Sequence, residues 1–237
     1  MRIVSYNLWH HRASGELEGL AREHEPDVVC VQEAHVSELP KRLGALELAA
    51  TTTTGLLGLG VYVHADRFAV TFHRAFRLKP GLHDLFLLPG TERLLAARLV
   101  DRRTGVPTTV ASFHAAPLTA TNVLRRHQVA AAHMLLDEVS AGDPVVMIGD
   151  FNYPLFRSGL ERAAARDGFT AFFSDAPTYR HTASLATHFD LLTSRGVRVD
   201  AVRTLAAGAS DHHPILLDAE VLGAPAAPVV EVPARSV

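Results

Sequence analysis

Cysteine is almost missing from this chain. Cys30 stands alone in 237 residues, which excludes a disulfide framework and any cysteine-based zinc site. It falls in the apolar run Val28–Val31, where a free thiol behaves as a small apolar side chain. Lysine is nearly as scarce: Lys41 and Lys79 are the only two, so arginine carries the positive charge. Neither sign of charge dominates. The formal net charge of −2 gives no global pull toward nucleic acid. No apolar run is long enough to cross a membrane, and the first residues show no n-region, h-region or cleavage site. A cytoplasmic protein is therefore the expectation. The glycine-rich stretch Gly55–Gly60 is followed by no Gly-Lys-Ser/Thr and opens a strand, which excludes a Walker loop and a dinucleotide fingerprint. There is no Gly-x-Ser-x-Gly elbow. His10-His11 and His212-His213 are adjacent pairs, without the i, i+4 spacing of a helical zinc site.

What is present is an ordinary globular composition, with 48% hydrophobic and 20% charged residues. The most informative stretch is Val145–Asn152. Four apolar residues predict a strand buried on both faces. Gly149 ends that run and frees the backbone to turn, which leaves Asp150 and Asn152 at the strand's carboxyl end. Open α/β sheets bind ligands at such ends, although an Asx turn would use the same two residues.

Further strands are predicted at Arg2–Leu8, Asp27–Gln32, Leu46–Thr54, Val61–His64, Ala69–Phe76, Leu94–Asp101, Pro107–Phe113 and Ile215–Val221. Phe189–Ser194 and Val197–Leu205 read as a hairpin around Arg195-Gly196. Helices are predicted from Leu17 to Pro26, over Ser37–Leu46, and over Ser158–Asp167. The longest helical pattern, Thr119–Val139, has Val123, Leu124, His127, Ala131, Met134, Leu135 and Val139 on one face. Leu82–Leu88 reads first as an extra core strand, and second as an apolar loop touching a lipid or a partner. The Pro- and Ala-rich residues 223–237 read as a disordered tail, leaving one domain over 1–222. Many strands with few, well-spaced helices predict two packed sheets with helices outside.

Polar residues gather at the ends of the apolar runs: Asn7, Glu33, His114, Asp150, Asn152, Asp190, Asp211 and His212. Taken singly, each is an ordinary strand exit, turn or cap residue. Taken together they supply oxygen ligands suited to Mg²⁺ or Mn²⁺ and two histidines for proton transfer. Those are the parts that phosphoester hydrolysis needs.

Six segments carry a resemblance. They are Ser-Tyr-Asn-Leu-Trp at 5–9, Val-Gln-Glu at 31–33, Phe-His-Ala-Ala-Pro at 113–117, Ile-Gly-Asp-Phe-Asn at 148–152, Phe-Asp-Leu-Leu at 189–192 and Ser-Asp-His-His-Pro at 210–214. In this order they resemble the endonuclease/exonuclease/phosphatase family. The resemblance implies an α/β fold, a four-layer α/β/β/α sandwich of two mixed sheets flanked by helices. It implies Glu33 as the main metal ligand, aided by Asn7 and Asp211. Asp150 and Asn152 would orient the attacking water and the phosphate, with Asp150 as base. His212, oriented by Asp190, would contact the scissile phosphate, and His114 would approach from the other side. Arg125-Arg126-His127-Gln128 resembles the family's Arg-x-x-Gln helix start. One departure stands out: Gly58-Leu59-Gly60 lies where related enzymes carry a glutamate for the histidine matching His114.

The expected activity is Mg²⁺- or Mn²⁺-dependent hydrolysis of phosphodiesters, with DNA or RNA as the first candidate substrate. A lipid or small-molecule phosphoesterase is the second reading, suggested by the near-neutral charge and Leu82–Leu88. A binding module on the same fold is disfavoured, because the metal and proton-transfer positions are filled. No obligate protein partner is implied.

Overall fold

The computed structural model describes residues 1–80, 91–153, 157–180 and 187–223. In chain order its elements are β1 (Arg2–Asn7), α1 (Leu17–His24), β2 (Val28–Ala34), β3 (Arg42–Leu43), β4 (Leu46–Thr51), β5 (Gly58–His64), β6 (Phe68–Arg77), β7 (Glu92–Asp101) and β8 (Pro107–His114). Then follow α2 (Asn122–Ser140), β9 (Val145–Asp150), α3 (Arg157–Arg166), β10 (Thr170–Phe173), β11 (Asp190–Arg195), β12 (Val197–Thr204) and β13 (Ile215–Val221). The strands form a seven-stranded sheet, β12-β13-β1-β2-β5-β4-β3, and a six-stranded sheet, β10-β11-β9-β8-β7-β6.

Each sheet contains one parallel pair, β1 with β2 and β8 with β9. Parallel strands cannot be joined by a tight hairpin and need a crossover. Helices α1 and α2 are those crossovers. Alternation along the strands divides their side chains between layers. Ile3, Cys30, Val61, Leu95, Val146 and Ile148 fill the space between the sheets. Phe113, Met147, Val129, Leu136 and Leu160 join the six-stranded sheet to α2 and α3. Val4, Tyr6, Val31, Leu17 and Ala21 join the seven-stranded sheet to α1. The result is the four-layer α/β/β/α sandwich. The carboxyl ends of both parallel pairs point to the same edge of it, where Asn7, Glu33, His114 and Asp150 stand.

Several local expectations are corrected. Ser37–Leu46 is not a helix: a 3-10 turn covers Val36–Glu38 and a hairpin of β3 and β4 follows. Pro40 stops the turn, and Gly44, at φ 58°, makes the hairpin. Leu39, Leu43 and Leu46 have helical spacing, yet the hairpin buries all three as well.

Phe189–Ser194 and Val197–Leu205 are not a hairpin either. β11 pairs with β9 and β10, whereas β12 pairs with β13 in the other sheet. Gly196, at φ 67° and closely faced by Pro144, is where the chain changes sheet. β10, between α3 and β11, is a strand the sequence pattern did not reveal.

The buried face of α2 also differs from expectation. It consists of Arg125, Gln128, Val129, Ala132, His133, Leu136 and Ser140, while Val123 and Met134 are exposed. Three of these buried residues are long polar side chains with internal partners, so sorting by hydrophobicity picks the wrong stripe.

Gly149 does not end its strand. It pairs within β9, and a Cβ there would lie 2.0 Å from the Phe113 carbonyl oxygen. Leu82–Leu88 and residues 224–237 lie outside the described residues. Among the described residues, no helix is long and apolar enough to cross a membrane.

Candidate active site

The site is built where two sheets bring their parallel pairs together. Asp150 ends β9, and its Oδ2 is the meeting point. That oxygen accepts hydrogen bonds from Asn7 Nδ2 at 3.0 Å and Asn152 Nδ2 at 3.0 Å. His114 Nε2 lies 3.6 Å from it and His212 Nε2 3.8 Å from it. Asp150 Oδ1 accepts the Asn152 backbone N–H at 2.8 Å. The Asx turn allowed by the sequence is thus real, and it coexists with the site, because it locks the orientation of a carboxylate that faces two histidines.

Glu33 reaches the same place by a local irregularity. The β2–β5 pairing shifts register between Val31 and Ala34, and Glu33 adopts φ 54°. A bulge of this kind re-aims a side chain. The facing glycines make room for it. A Cβ on Gly60 would lie 2.9 Å from Val31, and one on Gly58 would lie 2.1 Å from Thr52 Oγ1. The Gly58–Gly60 segment therefore begins β5 and accommodates the bend that presents Glu33.

A left-handed turn then fixes Glu33. Trp9, His10 and His11 have φ of 45°, 55° and 69°. Their N–H groups donate in succession to Asn7 Oδ1 at 3.0 Å, Glu33 Oε2 at 3.0 Å and the Glu33 carbonyl at 2.8 Å. Consecutive amides in such a turn make a concave nest for an anion. With Asn152 at φ 48°, five of the seven non-glycine residues of positive φ among the described residues border the site; the other two, Glu25 and Ala141, are helix C-caps. Backbone strain concentrated in one place is characteristic of functional sites.

His212 is paired differently from His114. Its Nδ1 meets Asp190 Oδ2 at 2.8 Å, and Asp190 lies opposite Asp150 in the β9–β11 ladder. Burial alone would lower the imidazole, but Asp190, Asp150 and Asp211 together push it up to about 10. It is a cation at neutral pH. Burial lowers His114 to about 4, with Glu33 opposing, so His114 is neutral. Burial raises Asp150 to about 7, with His212 opposing. Burial raises Glu33, but its neighbours, among them the His10 N–H and the Asn7 amide, hold its carboxyl below the usual range.

Asp150, Asp190 and His212 have ligand-type atoms within 4.8 Å of one another. A protonated imidazole cannot coordinate a cation, so this trio reads as a charge network. Glu33 fits a hard cation better: it is ionised, carries an oxygen donor and is held by the amide nest. Asn7 was expected as an oxygen ligand, but its Oδ1 accepts from Trp9. Its Nδ2 faces Glu33 Oε1 at 3.3 Å as well as Asp150, so here it braces the two carboxylates together. Asp211 adjoins the group beside His212, and its charge raises both His212 and Tyr179.

Further residues brace these groups, and Thr178 and Tyr179 among them were not foreseen. Ser210 Oγ donates to the Asn7 carbonyl and accepts the His212 N–H. Thr178 Oγ1 accepts the N–H groups of Phe189 and Asp190. Tyr179 sets its ring edge-on to His212, with centroids 5.0 Å apart. Arg125 Nε and Gln128 Oε1 bond the Ala116 carbonyl and N–H, which anchors the segment after His114. The Arg-x-x-Gln pattern signals that last pair. Ser210 opens the Ser-Asp-His segment and its bond to the His212 N–H is local, whereas its contact with Asn7 and those of Thr178 and Tyr179 depend on distant segments and have no local signal.

A family model described as the endonuclease/exonuclease/phosphatase family matches residues 4–212. Among curated proteins, none matches the chain in sequence. Similar solved structures include a mannosyl-6-phosphatase from Bacteroides thetaiotaomicron, at TM-score 0.74 and 12% identity, covering 93% of this chain and 99% of that one. The human Nocturnin catalytic domain with bound sulfate has TM-score 0.72 and 16% identity, covering 93% and 94%. D. rerio TDP2 complexed with single strand DNA product has TM-score 0.72 and 16% identity, covering 93% and 99%.

Proposed function

The chain belongs to the endonuclease/exonuclease/phosphatase family, and from that premise we propose that it is a Mg²⁺- or Mn²⁺-dependent phosphodiesterase, with nucleic acid as its substrate class. The observation that carries this reading is the meeting of Glu33, Asp150 and the Asp190–His212 pair at the ends of two parallel strand pairs. A cation held by Glu33, with Asp211 as a further carboxylate, would neutralise charge on the phosphoryl oxygens.

The chain's own residues supply the rest. Asp150, with a value near 7, suits a base that accepts a proton from the attacking water. Asn7 and Asn152 fix its direction. Asp190 takes Nδ1 of His212 and holds the ring as a cation. Nε2–H is then available to the phosphoryl oxygens, a charge-assisted contact that strengthens as their charge develops. His114, neutral and beside the same oxygen of Asp150, offers a second contact from β8.

The relatives named above include a phosphatase and a protein bound to a DNA product, so the experiment must separate substrate classes. Purified protein with Mg²⁺ or Mn²⁺ is offered plain DNA, abasic DNA, RNA, sphingomyelin, inositol phosphates, bis(4-nitrophenyl) phosphate and 4-nitrophenyl phosphate. The expected result is cleavage of the nucleic acids and of the synthetic diester. Turnover confined to the monoesters would overturn the diesterase assignment.

A further inference from the structure

Beside the site, α2 and α3 enclose a cleft of about 530 Å³. Its walls include Asn122 and Arg126 of α2 and Ser158, Gly159, Arg162 and Arg166 of α3. The spacing explains the grouping: 122 and 126 are one helical turn apart, and 158, 162 and 166 recur every four residues, so each set forms one stripe. Among the described residues, three arginines line the cleft and no acid does. Among the described residues, none of the three arginines is in an ion pair. Arg126 Nη1 donates to the Tyr153 hydroxyl at 2.8 Å.

This arrangement is unfavourable on its own. Arg162 and Arg166 are like charges at i, i+4, which destabilises a helix. Neither α2 nor α3 has an acidic residue in its first turn, although the positive end of a helix dipole favours one there. Asn122 begins α2, and Ser158 and Gly159 follow directly on the first residue of α3, so both helix starts face the cleft with their positive ends. Arg126, Arg162 and the two helix starts thus put positive charge at one end of the cleft, and Arg166, in the last turn of α3, extends it along that helix. An anion in the cleft would offset both.

The cleft connects to the catalytic residues. Tyr153, whose hydroxyl Arg126 holds, follows Asn152 in the chain. A Cβ on Gly159 would lie 3.3 Å from that hydroxyl, so a glycine there keeps α3 close to the site while leaving the cleft open.

We infer that this cleft binds a phosphate group of the substrate other than the one that is cut. The inference deepens the hydrolase reading and rests on it. The ligand chemistry is a phosphate anion recognised by arginine forks, carried either on a nucleic-acid strand or on a small polyphosphorylated molecule.

The test compares wild type with R162Q/R166Q, which changes two exposed side chains that touch no catalytic group. On a short oligonucleotide the double variant is expected to lose roughly tenfold or more in kcat/KM, mainly through KM, since charge-assisted contacts are worth about that much each. On bis(4-nitrophenyl) phosphate, which has no second phosphate, it should match wild type. Binding of labelled oligothymidylate in the presence of a chelator, read by fluorescence anisotropy, should weaken in parallel. Its log–log salt slope should become shallower by about 0.7 for each contact removed. Displacement of the label by inorganic pyrophosphate at low concentration assigns the cleft to a compact polyphosphate, and resistance to it assigns the cleft to an extended strand. Equal losses on both substrates, or unchanged binding, would overturn the inference. If wild type cuts no phosphoester while the variant still loses oligonucleotide binding, the hydrolase reading fails and the anion cleft stands.

Discussion

His212 gives its Nδ1 to Asp190 at 2.8 Å and turns its Nε2 toward Asp150, 3.8 Å away. One imidazole thus links two carboxylates that face each other across the β9–β11 ladder. Removing the ring removes a cation from between two buried acids and also the phosphoryl contact proposed for it. His212→Ala is expected to lower kcat by roughly 10²-fold or more, and Asp150→Asn by a similar amount. His114→Ala should cost clearly less, because His114 is neutral and, among the described residues, its nearest carboxylates, Asp150 at 3.6 Å and Glu33 at 3.7 Å, lie beyond hydrogen-bond reach. Steady-state rates on the preferred diester decide the order, and equal losses for the two histidines would contradict it.

Chelation should abolish activity, and Mg²⁺ or Mn²⁺ should restore it, since the donors at the site are hard oxygens. Glu33→Ala should raise the cation concentration needed for half-maximal activity while circular dichroism shows a folded chain. A protein still fully active after exhaustive chelation would contradict the cation role assigned to Glu33.

Much of this site could be read from the sequence because its residues sit where strands end. Asn7, His114 and Asp150 close apolar runs, Asp190 opens one and His212 lies just before another, and a run's end can be seen without knowing its neighbours. The means of positioning could not be read in this way. The left-handed turn at Trp9–His11 contains no glycine, so its composition does not announce positive φ. The bulge that aims Glu33 shows only when β2 is set against Gly58 and Gly60 of β5. The Phe189–Ser194 and Val197–Leu205 runs carry a sound hairpin signal, but which sheet each joins depends on partners far along the chain. Where α2 turns Arg125, Gln128 and His133 inward, hydrogen bonds to other segments override the hydrophobic pattern.

Gly149 tests how tightly the two halves of the six-stranded sheet must approach. A Cβ there would meet the Phe113 carbonyl oxygen at 2.0 Å, and backbone cannot yield as a side chain can. Gly149→Ala should force β8 and β9 apart and cost at least the roughly 1–3 kcal/mol typical of overpacking. Because His114 and Asp150 end those two strands, kcat should fall even under conditions where the variant remains folded. Urea unfolding together with single-temperature kinetics would check both halves of this expectation.

The last prediction concerns a histidine away from the site. His133 is fully buried, with Nδ1 at 2.8 Å from Asp167, Nε2 at 2.9 Å from Thr193 Oγ1 and its ring stacked 4.0 Å from Phe169. Burial lowers its value below the ordinary 6.5, with Asp167 and Asp137 opposing and Arg195 reinforcing. The folded chain therefore binds this proton less readily than the unfolded chain does. Below about pH 6.5 the unfolded state takes up more protons, so stability rises with pH in that window and is lost as pH falls through it. Above it, His133 contributes no pH dependence. Replacing His133 by Gln should lower stability at pH 8 by removing the stacked ring, and should flatten the slope of unfolding free energy between pH 7 and pH 5. A slope identical to wild type across that window would mean that the imidazole holds its proton equally well in the folded and unfolded chains, with Asp167 fully offsetting burial.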